Sequence, residues 1–172
     1  GPPSGPVLRG GWLPLPMWVP WRMALIDFTV SHQFHAPSRA VWDEMIDWPN
    51  HAKWIPATRM EVDSSDYQVE GATFTGYTGL WKLALVDRMR ISAIEWDEAT
   101  ALGSCEVEKL GPVLRGRAGF DVSPHGDGSN VDWFEQVTVP YLPKLLAPIV
   151  SKLSALGFAF GMRRLAKIVE KR

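Results

Sequence analysis

The segment from Val131 to Val139 alternates apolar and polar residues, and this alternation constrains the fold more than any other feature of the chain. Successive side chains of a β-strand point to opposite faces, so the pattern predicts a strand with one buried face. Glu135 falls inside the apolar series and is predicted to point inward with it. The apolar members of the series are Val131, Trp133, Val137 and Val139.

A second alternating series precedes Ala36-Pro37 and also contains an ionisable residue, His32. A buried charge costs several kcal/mol, on the order of 3–5, unless it is paired, solvated or neutralised. Two such strands in one domain indicate an interior that is partly a wet cavity. The alternatives are a structural hydrogen bond in a solid core, or an edge strand with a mixed face. The apolar members of this series are Ile26, Phe28, Val30 and Phe34.

Length and composition limit the classes of protein to which the chain can belong. With 172 residues and 46% hydrophobic content, it fits one globular domain with a proper core. The net charge of -1 gives no support to bulk nucleic-acid binding. The single cysteine, Cys105, permits no intrachain disulfide and fits a reducing cytoplasmic location. We expect Cys105 to act as a small apolar core residue.

The first 22 residues differ from the rest of the chain. They are rich in tryptophan and proline, and the prolines preclude a signal-peptide helix. We expect residues 1–22 to form an extended arm, partly derived from an expression tag, with Met23 as the native start and residues 23–172 as one domain. The hexapeptide Gly-Pro-Val-Leu-Arg-Gly occurs at residues 5–10 and again at residues 111–116, and nothing in the sequence explains this repetition.

The order of elements predicts the fold class. A first strand ends before a short helix with Ser38 as its N-cap, and a second short helix runs through Trp54. A run of antiparallel strands follows, and a long helix starts near Leu142. Large apolar residues at helical spacing form a stripe along this helix, which is expected to face the sheet, while Gly157 and Gly161 thin one side of it and allow close approach to a strand or a ligand. The predicted fold is α+β: a curved antiparallel sheet of six to seven strands wrapped around a long C-terminal helix, with two short helices after the first strand.

From Ile26 to the C-terminus the chain resembles the SRPBCC superfamily, whose helix-grip fold includes START domains and polyketide cyclase/dehydrase-like proteins. The resemblance implies that the first strand lies beside the last, so that His32 and Glu135 would form a pair on adjacent strands. It is carried by the order and spacing of short motifs and by the closing helix. The motifs are Phe34-His35-Ala36-Pro37, Val41-Trp42-Asp43, Asp47-Trp48-Pro49, Trp54, Gly71-Ala72-Thr73-Phe74, Asp87-Arg88-Met89, Gly111-Pro112-Val113, Gly116-Arg117-Ala118, Gly126-Asp127-Gly128 and Trp133-Phe134-Glu135.

The first functional hypothesis is the binding or carriage of a small hydrophobic ligand, such as a lipid, an isoprenoid or a polyketide-like molecule, in an internal cavity between the sheet and the C-terminal helix. Ligand pockets are mostly apolar with a few orienting polar groups. The predicted ligand-binding residues are Phe28, Val30, His32, Phe34, Trp54, Phe74, Met89, Ile91, Phe120, Trp133, Glu135, Ile149, Leu153, Leu156 and Phe160.

The second hypothesis is an enzyme of the aromatase/cyclase or dehydratase type that uses the same cavity. His32 would act as a base and Glu135 as its orienting partner or as an acid. Tyr77 or Arg88 would stabilise an enolate oxygen if either faced inward. The sequence contains no dense cluster of catalytic residue types, which favours the carrier hypothesis.

The third hypothesis is a protein-interaction or membrane-surface role. The final helix is basic and would suit transient contact with anionic lipid headgroups, although cations at a helix C-terminus also favour the helix dipole. We predict no metal site and no cofactor, and the sequence leaves the oligomeric state open. The basic residues of the final helix are Lys144, Lys152, Arg163, Arg164, Lys167, Lys171 and Arg172.

Overall fold

Seven antiparallel strands form one sheet in the order β1-β7-β6-β5-β4-β3-β2. The computed structural model describes residues 23–79 and 83–171, so the predicted N-terminal arm and the first copy of the hexapeptide lie outside the described residues. The predicted helix-grip fold and the pairing of the first strand with the last are confirmed. The strands are β1 Met23–Phe34, β2 Thr58–Val62, β3 Thr73–Thr78, β4 Leu85–Asp97, β5 Leu102–Leu110, β6 Arg115–His125 and β7 Gly128–Pro140.

Helices occupy the concave side of the sheet. Helix α1 (Ser38–Met45) and a 3-10 helix (Trp48–Lys53) follow β1, as predicted. The long helix α2 (Ala147–Val169) closes the chain after a 3-10 turn. Pro37, not Ser38, is the N-cap of α1, so that detail of the prediction is wrong. Ser38 Oγ instead donates a hydrogen bond of 2.8 Å to the carbonyl oxygen of Ala101, which ties α1 to the turn between β4 and β5.

The alternating series in β1 and β7 bury the faces that their apolar residues predict. The four apolar residues of the β1 series are at most 9% exposed, and Glu135 is 8% exposed within the buried face of β7. A bulge between Ile91 and Ala93 interrupts the pairing of β4 with β5, and bulges of this kind increase the local bend and twist of a strand. The result is a curved sheet with a concave apolar face directed at α2.

Helix α2 contacts the sheet in a way that the sequence did not predict. Its C-terminal part is buried through Met162, Leu165, Ala166 and Val169. Upstream, in α2 and in the 3-10 turn before it (Lys144–Leu146), Val150 and Phe158 face the sheet, but the other large apolar residues are exposed on the outer face, with exposed fractions from 44% at Leu146 to 90% at Leu145. The prediction that the stripe of large residues faces the sheet is therefore wrong over most of the helix. These outward residues are Leu145, Leu146, Ile149, Leu153, Leu156 and Phe160.

Small residues explain the orientation of α2. Gly161 lies against the 3-10 region, and a Cβ atom at this position would lie 3.2 Å from the carbonyl oxygen of Trp54. A larger side chain on this side would push the helix away from the sheet. The sequence indicated that Gly157 and Gly161 thin one side of the helix, and this is the side that faces the sheet.

Candidate functional site

Two connected chambers lie between α2 and the concave face of the sheet. The outer chamber has a volume of about 440 Å³ and a mostly apolar lining. The inner chamber is smaller, about 80 Å³, and lies deeper among aromatic side chains. Six residues line both chambers: Ile55, Thr58, Thr78, Asp87, Glu135 and Phe158.

The outer chamber exists because the first part of α2 presents short side chains to the sheet. Val150, Ser154 and Gly157 line it from the helix, while Val137 and Val139 line it from β7. No atom outside the helix's own backbone and neighbouring residues lies within 4 Å of the position that a Cβ at Gly157 would take, so the helix stands clear of the sheet here. The space between helix and sheet is therefore open to a ligand.

Stacked aromatic rings form the walls of the inner chamber. Trp48 stacks on Phe74 with ring centroids 4.5 Å apart, and Phe120 stacks on Trp133 at 5.5 Å. Phe158 of α2 lies 4.9 Å from Trp133 and separates this chamber from the outer one. Aromatic pairs at such distances add roughly 0.5–1.5 kcal/mol each beyond the area that they bury. The walls of the inner chamber are thus held in a defined arrangement.

Three charged residues meet at the floor of the chambers. Lys109 of β5 donates a hydrogen bond to Asp87 Oδ2 of β4, and its Nζ lies 3.3 Å from Met89 Sδ. Glu135 of β7 completes this floor cluster. Lys109 and Glu135 are only 6% and 8% exposed. Two carboxylates and one ammonium group therefore share a nearly dry environment.

The intervening strand β6 makes room for this floor cluster with small residues. Ala118 pairs with Glu135, and Gly116 pairs with both Lys109 and Val137. A Cβ at Gly116 would lie 2.1 Å from the carbonyl oxygen of Gln136 and, at a φ of +138°, would also strain the backbone. Gly116 is therefore required by the backbone, and Ala118, the small residue beside Glu135, lines the inner chamber.

Burial and mutual attraction shift the pKa values of this cluster. Burial raises the pKa of Glu135 and outweighs the lowering effect of the nearby Lys109 ammonium group, while Asp87 raises it further. Burial alone would lower the pKa of Lys109, but Glu135 and Asp87 together reverse this effect and leave it raised. Lys109 is accordingly held in its charged form, and Glu135 takes up a proton more readily than an exposed glutamate.

His51 contributes a neutral imidazole to the inner chamber. Its Nε2 lies 2.7 Å from the carbonyl oxygen of Met45, which assigns the ring proton to Nε2. Burial lowers the pKa of His51 to about 4, although the Met45 carbonyl and Asp47 oppose this shift. The ring is therefore uncharged near neutral pH, and Nδ1 is a hydrogen-bond acceptor.

Polar atoms without protein partners gather around the inner chamber. Among the described residues, Asp87 Oδ1, His51 Nδ1 and Trp133 Nε1 are fully buried and make no hydrogen bond. The indole N–H of Trp133 approaches the Glu135 carboxyl group and favours its charged form, without completing a hydrogen bond. Leaving a polar group unsatisfied in the interior costs roughly 1–3 kcal/mol, so three such atoms at one place mark a polar site.

The predicted pairing of His32 with Glu135 is wrong. Both residues belong to the concave-face series of adjacent strands, but His32 pairs with Val131 while Glu135 pairs with Phe28. The two lie four residues apart along the strands, which corresponds to about 13 Å. His32 is half-buried near the end of α2, where burial lowers its pKa, Glu170 raises it and Arg163 lowers it.

The other predicted site residues fall into three groups. Phe74, Met89, Phe120 and Trp133 line the inner chamber. Phe28, Val30, Phe34, Trp54 and Ile91 are buried in the core but line neither chamber. Ile149, Leu153, Leu156 and Phe160 are exposed on the outer face of α2, so the prediction that they form cavity walls is wrong.

Tyr77 and Arg88 also point away from the chambers. Phe74, Gly76 and Thr78 of β3 line the inner chamber, and strand alternation places Tyr77 on the opposite face, where its ring lies under Arg59 at 4.5 Å. Arg88 is exposed and forms an ion pair of 3.7 Å with Asp63. Neither can stabilise an oxyanion inside the cavity, so this expectation fails.

Asp87, Lys109 and His51 line the inner chamber but were not among the predicted site residues. The two strand residues carry the same signal that identified Glu135, namely an ionisable residue inside an alternating series. Lys109 follows Cys105 and Val107 at intervals of two, and Asp87 precedes Met89 and Ile91 in the same way. No comparable signal marks His51, whose burial follows from the packing of the 3-10 helix against Trp48 and Trp54.

The described part of the chain offers no cluster of metal ligands, and it contains one long apolar helix. Within residues 23–79 and 83–171, no group of three or more His, Cys, Asp or Glu side chains is arranged to hold a metal ion. The helical segment Lys144–Val169 is long and apolar enough to cross a bilayer by length and composition, which is also true of the core helices of some soluble proteins. Only 11% of its most apolar stretch is buried, because the large residues face outward.

Comparison with known proteins places the chain among helix-grip proteins. Residues 26–170 match the family model described as polyketide cyclase/dehydrase and lipid transport. A solved structure, TTHA0849 from Thermus thermophilus, is similar with a TM-score of 0.66 and 14% identity, covering 84% of this chain and 97% of that one. No curated protein matches the chain.

Two further solved structures share the fold at low sequence identity. SA2116 of Staphylococcus aureus, described as a protein of unknown function, has a TM-score of 0.67 and 10% identity over 87% of this chain and 96% of that one. Ara h 8.0201 has a TM-score of 0.55 and 18% identity over 87% of this chain and all of that one. These likenesses establish the fold and leave the ligand open.

Proposed function

Because this chain belongs to the polyketide cyclase/dehydrase and lipid transport family, we propose that it binds and carries a small hydrophobic molecule in the outer chamber. One observation carries the proposal: a chamber of about 440 Å³ with a mostly apolar lining opens between α2 and the sheet. Small-molecule sites typically measure about 300–1,000 Å³ and combine apolar walls with a few polar groups. Asp87 and Glu135 supply such polar groups here.

Carriage is favoured over the aromatase/cyclase or dehydratase alternative. That chemistry was predicted to use His32 with Glu135, and the register of β1 and β7 separates the two residues. A general base must lie within hydrogen-bond reach of its partner and substrate. Binding and release need only the chamber and its opening. A lipid, an isoprenoid and a polyketide-like molecule all satisfy this requirement.

Native mass spectrometry of the purified protein, followed by organic extraction and identification of what is released, tests the proposal directly. The expected result is a defined hydrophobic adduct that analogues displace. A mass equal to that of the bare chain, unchanged after exposure to a panel of lipids and polyketides, would contradict the proposal.

A cavity-filling variant tests whether the outer chamber is the site. Gly157→Phe places a ring in open space that faces the chamber, whereas Leu156→Phe adds bulk on the exposed side of the same helical turn. We expect Gly157→Phe to weaken binding of the neutral fluorescent probe N-phenyl-1-naphthylamine at least about tenfold and Leu156→Phe to leave it within about twofold. Equal effects of the two variants would place the probe elsewhere.

We further propose that the outer face of α2 contacts an anionic membrane surface while ligand is exchanged. One observation favours this: the face that carries Ile149, Leu153 and Phe160 continues, toward the C-terminus, into Arg163 and Lys167. Apolar side chains insert between headgroups, and each basic residue near an anionic surface adds about 1 kcal/mol. The apolar section lies beside the outer chamber, so such contact would bring the chamber close to the lipids.

Co-sedimentation with vesicles tests this membrane contact. The full chain is expected to bind vesicles that contain phosphatidylserine and to bind phosphatidylcholine vesicles weakly. Arg163→Gln with Lys167→Gln should reduce binding several-fold, whereas the matched pair Lys53→Gln with Arg90→Gln removes the same charge from exposed positions outside α2 and should not. Equal loss in both double variants would show a general charge effect and contradict a specific role for α2.

A further inference from the structure

We propose that the bound molecule ends in a hydrogen-bond donor without negative charge, a hydroxyl or amine group, which is held by the Asp87–Lys109–Glu135 floor cluster, and that the cavity excludes molecules that end in an anionic group. This inference rests on the proposed ligand-binding function and names the chemistry of the ligand's polar end. It depends on the balance of charges at the floor, on which polar atoms there are already satisfied, and on access from the outer chamber.

The chamber floor carries no net positive charge, whether Glu135 is ionised or protonated. The charged residues lining the two chambers are Asp87, Lys109 and Glu135, and they provide two carboxylates against one ammonium group. His51 adds no positive charge near neutral pH. Charges interact strongly in a nearly dry interior because little water screens them. An anionic headgroup placed here would meet no uncompensated positive charge, would be repelled by Glu135 whenever that carboxyl is ionised, and would lose its hydration.

The unsatisfied polar atoms around the inner chamber also favour a donor. Two of the three N–H donors of the Lys109 ammonium group are already engaged, by Asp87 and by Met89. Asp87 Oδ1 and His51 Nδ1 are acceptors without partners among the described residues. Glu135, held near Lys109 by charge attraction, offers further acceptor capacity. A ligand hydroxyl or amine can donate to these acceptors, and a hydroxyl oxygen can accept from the unpartnered indole N–H of Trp133.

The floor cluster can be reached from the outer chamber at two of its residues. Asp87 and Glu135 line both chambers, so a molecule whose apolar part fills the outer chamber can reach them with its polar end. Lys109 lines only the inner chamber and lies deeper. The carboxylates are therefore the first charged groups that an entering ligand meets.

Competition with three matched ligands tests the inference. Decanol, decylamine and decanoate share a chain length and differ in the polar end, and each is used to displace N-phenyl-1-naphthylamine from the full protein near neutral pH. Decanol and decylamine should displace the probe at concentrations at least about tenfold below those that decanoate requires. Decanoate that competes as well as decanol would overturn the inference, even though the protein would still be shown to bind a hydrophobic molecule.

Charge-removing variants separate the floor cluster from other causes of selectivity. Glu135→Gln keeps the shape and removes one carboxylate, and Glu108→Gln removes a carboxylate from the exposed face of β5. The preference for decanol over decanoate should shrink at least about threefold in Glu135→Gln and stay within about twofold of wild type in Glu108→Gln. Asp87→Asn should act in the same direction and serves if Glu135→Gln does not fold.

The outcomes distinguish this inference from the function on which it rests. If neither the probe nor any of the three ligands binds wild type, the proposed function fails and the inference fails with it. If all three bind equally, or if the preference is unchanged in both Glu135→Gln and Asp87→Asn, the ligand-binding function stands and the assignment of the polar end is overturned.

Discussion

The two parts of helix α2 contact the same sheet in different ways. From Gly161 onward the helix is anchored, with Met162, Leu165 and Val169 at most 2% exposed. From residue 147 to residue 160 it stands away from the sheet, and every side chain remains partly or fully exposed. We call residues 161–169 the anchored part and residues 147–160 the free part. The outer chamber lies mainly under the free part.

This difference shows how one helix can serve both stability and binding. The anchored part buries large side chains against the core, and the 3-10 region supports it where Trp54 meets Gly161. The free part gains less from burial: Phe158 packs against Trp133, but the other large apolar residues, apart from the chamber-lining Val150, are exposed. Substitutions in the anchored part should therefore change the free energy of unfolding, whereas substitutions in the free part should mainly change binding.

The largest expected effect is on stability in the anchored part. Leu165→Ala removes a fully buried side chain and should lower the free energy of unfolding by about 4 kcal/mol, since such truncations also leave a cavity. Leu153→Ala is the control in the free part; it truncates a side chain that is 62% exposed and should cost less than about 0.5 kcal/mol. Urea unfolding measures both. Similar losses would contradict the division of the helix.

The pH dependence of stability tests the packing of His51, whose ring contacts Trp54 next to the anchored part. His51 has a pKa of about 4 in the folded protein, against 6.5 for an ordinary histidine, so only the unfolded chain gains a proton as the pH falls from 6.5 toward 4. Stability from this group is fully present above pH 6.5, and about 3 kcal/mol is lost as the pH falls through the folded pKa. Glu135 has the opposite effect on the pH dependence of stability, because its raised pKa favours the folded state at low pH.

His51→Gln isolates the contribution of the histidine. The stability difference between wild type and this variant should shrink by about 3 kcal/mol between neutral pH and pH values below about 4, as measured by urea unfolding at each pH. The pH slope is the informative quantity, since the substitution also changes packing. A difference that stays constant across this range would show that the pKa of His51 is the same in the folded and the unfolded protein.

Two glycines provide a smaller and closely matched comparison. Alanine is favoured over glycine inside a helix by about 1 kcal/mol. Gly157→Ala should gain this stability because no atom outside its local backbone lies within 4 Å of the new Cβ. Gly161→Ala should gain none or lose stability, because its Cβ would meet the Trp54 carbonyl oxygen at 3.2 Å. Thermal unfolding compares the two, and equal gains would mean that the anchored part can move outward freely.

The smallest expected effect lies at the end of α2. The backbone N–H of His35 donates to Glu170 Oε1 at 2.9 Å, and Glu170 also raises the pKa of the nearby His32. Glu170→Gln should lower the pKa of His32 further, because the remaining influences of burial and Arg163 both lower it. It should reduce stability by less than about 1 kcal/mol. Titration of the His32 ring by NMR measures the shift, and an unchanged or higher pKa would contradict this electrostatic assignment.

Strand alternation predicted the strand faces well and the site only in part. The parity of β1 and β7 correctly placed the series around Phe28 and Glu135 on the concave face. Alternation along a strand determines which face of the sheet a residue occupies, but it does not determine which residue of the neighbouring strand lies opposite. Glu135 pairs with Phe28 and not with His32 because of the register between β1 and β7, and these two strands are far apart in the chain.

In helix α2, hydrophobic periodicity predicted the helix itself but not which of its sides faces the sheet. Its large apolar residues recur at helical intervals, and hydrophobicity alone predicted that this stripe would be buried. The structure instead turns the side with Ser154, Gly157 and Gly161 toward the sheet, because only short side chains allow α2 to approach Trp54 and the curved sheet. The sequence indicated that this side is thin, but not that shape would outweigh hydrophobicity.

By itself, the sequence determined the α+β class, the strand faces and the presence of Glu135 in the interior, because these follow from local periodicity and from the order of elements. The helix-grip fold was implied by the resemblance of its short motifs to a known superfamily. Only the tertiary structure decided that Glu135 meets Lys109 and Asp87, that His51 is buried, and that the free part of α2 leaves a chamber. Those features depend on register, sheet curvature and the distance between helix and sheet. Each of these is set by contacts between residues far apart in the chain, which no local pattern specifies.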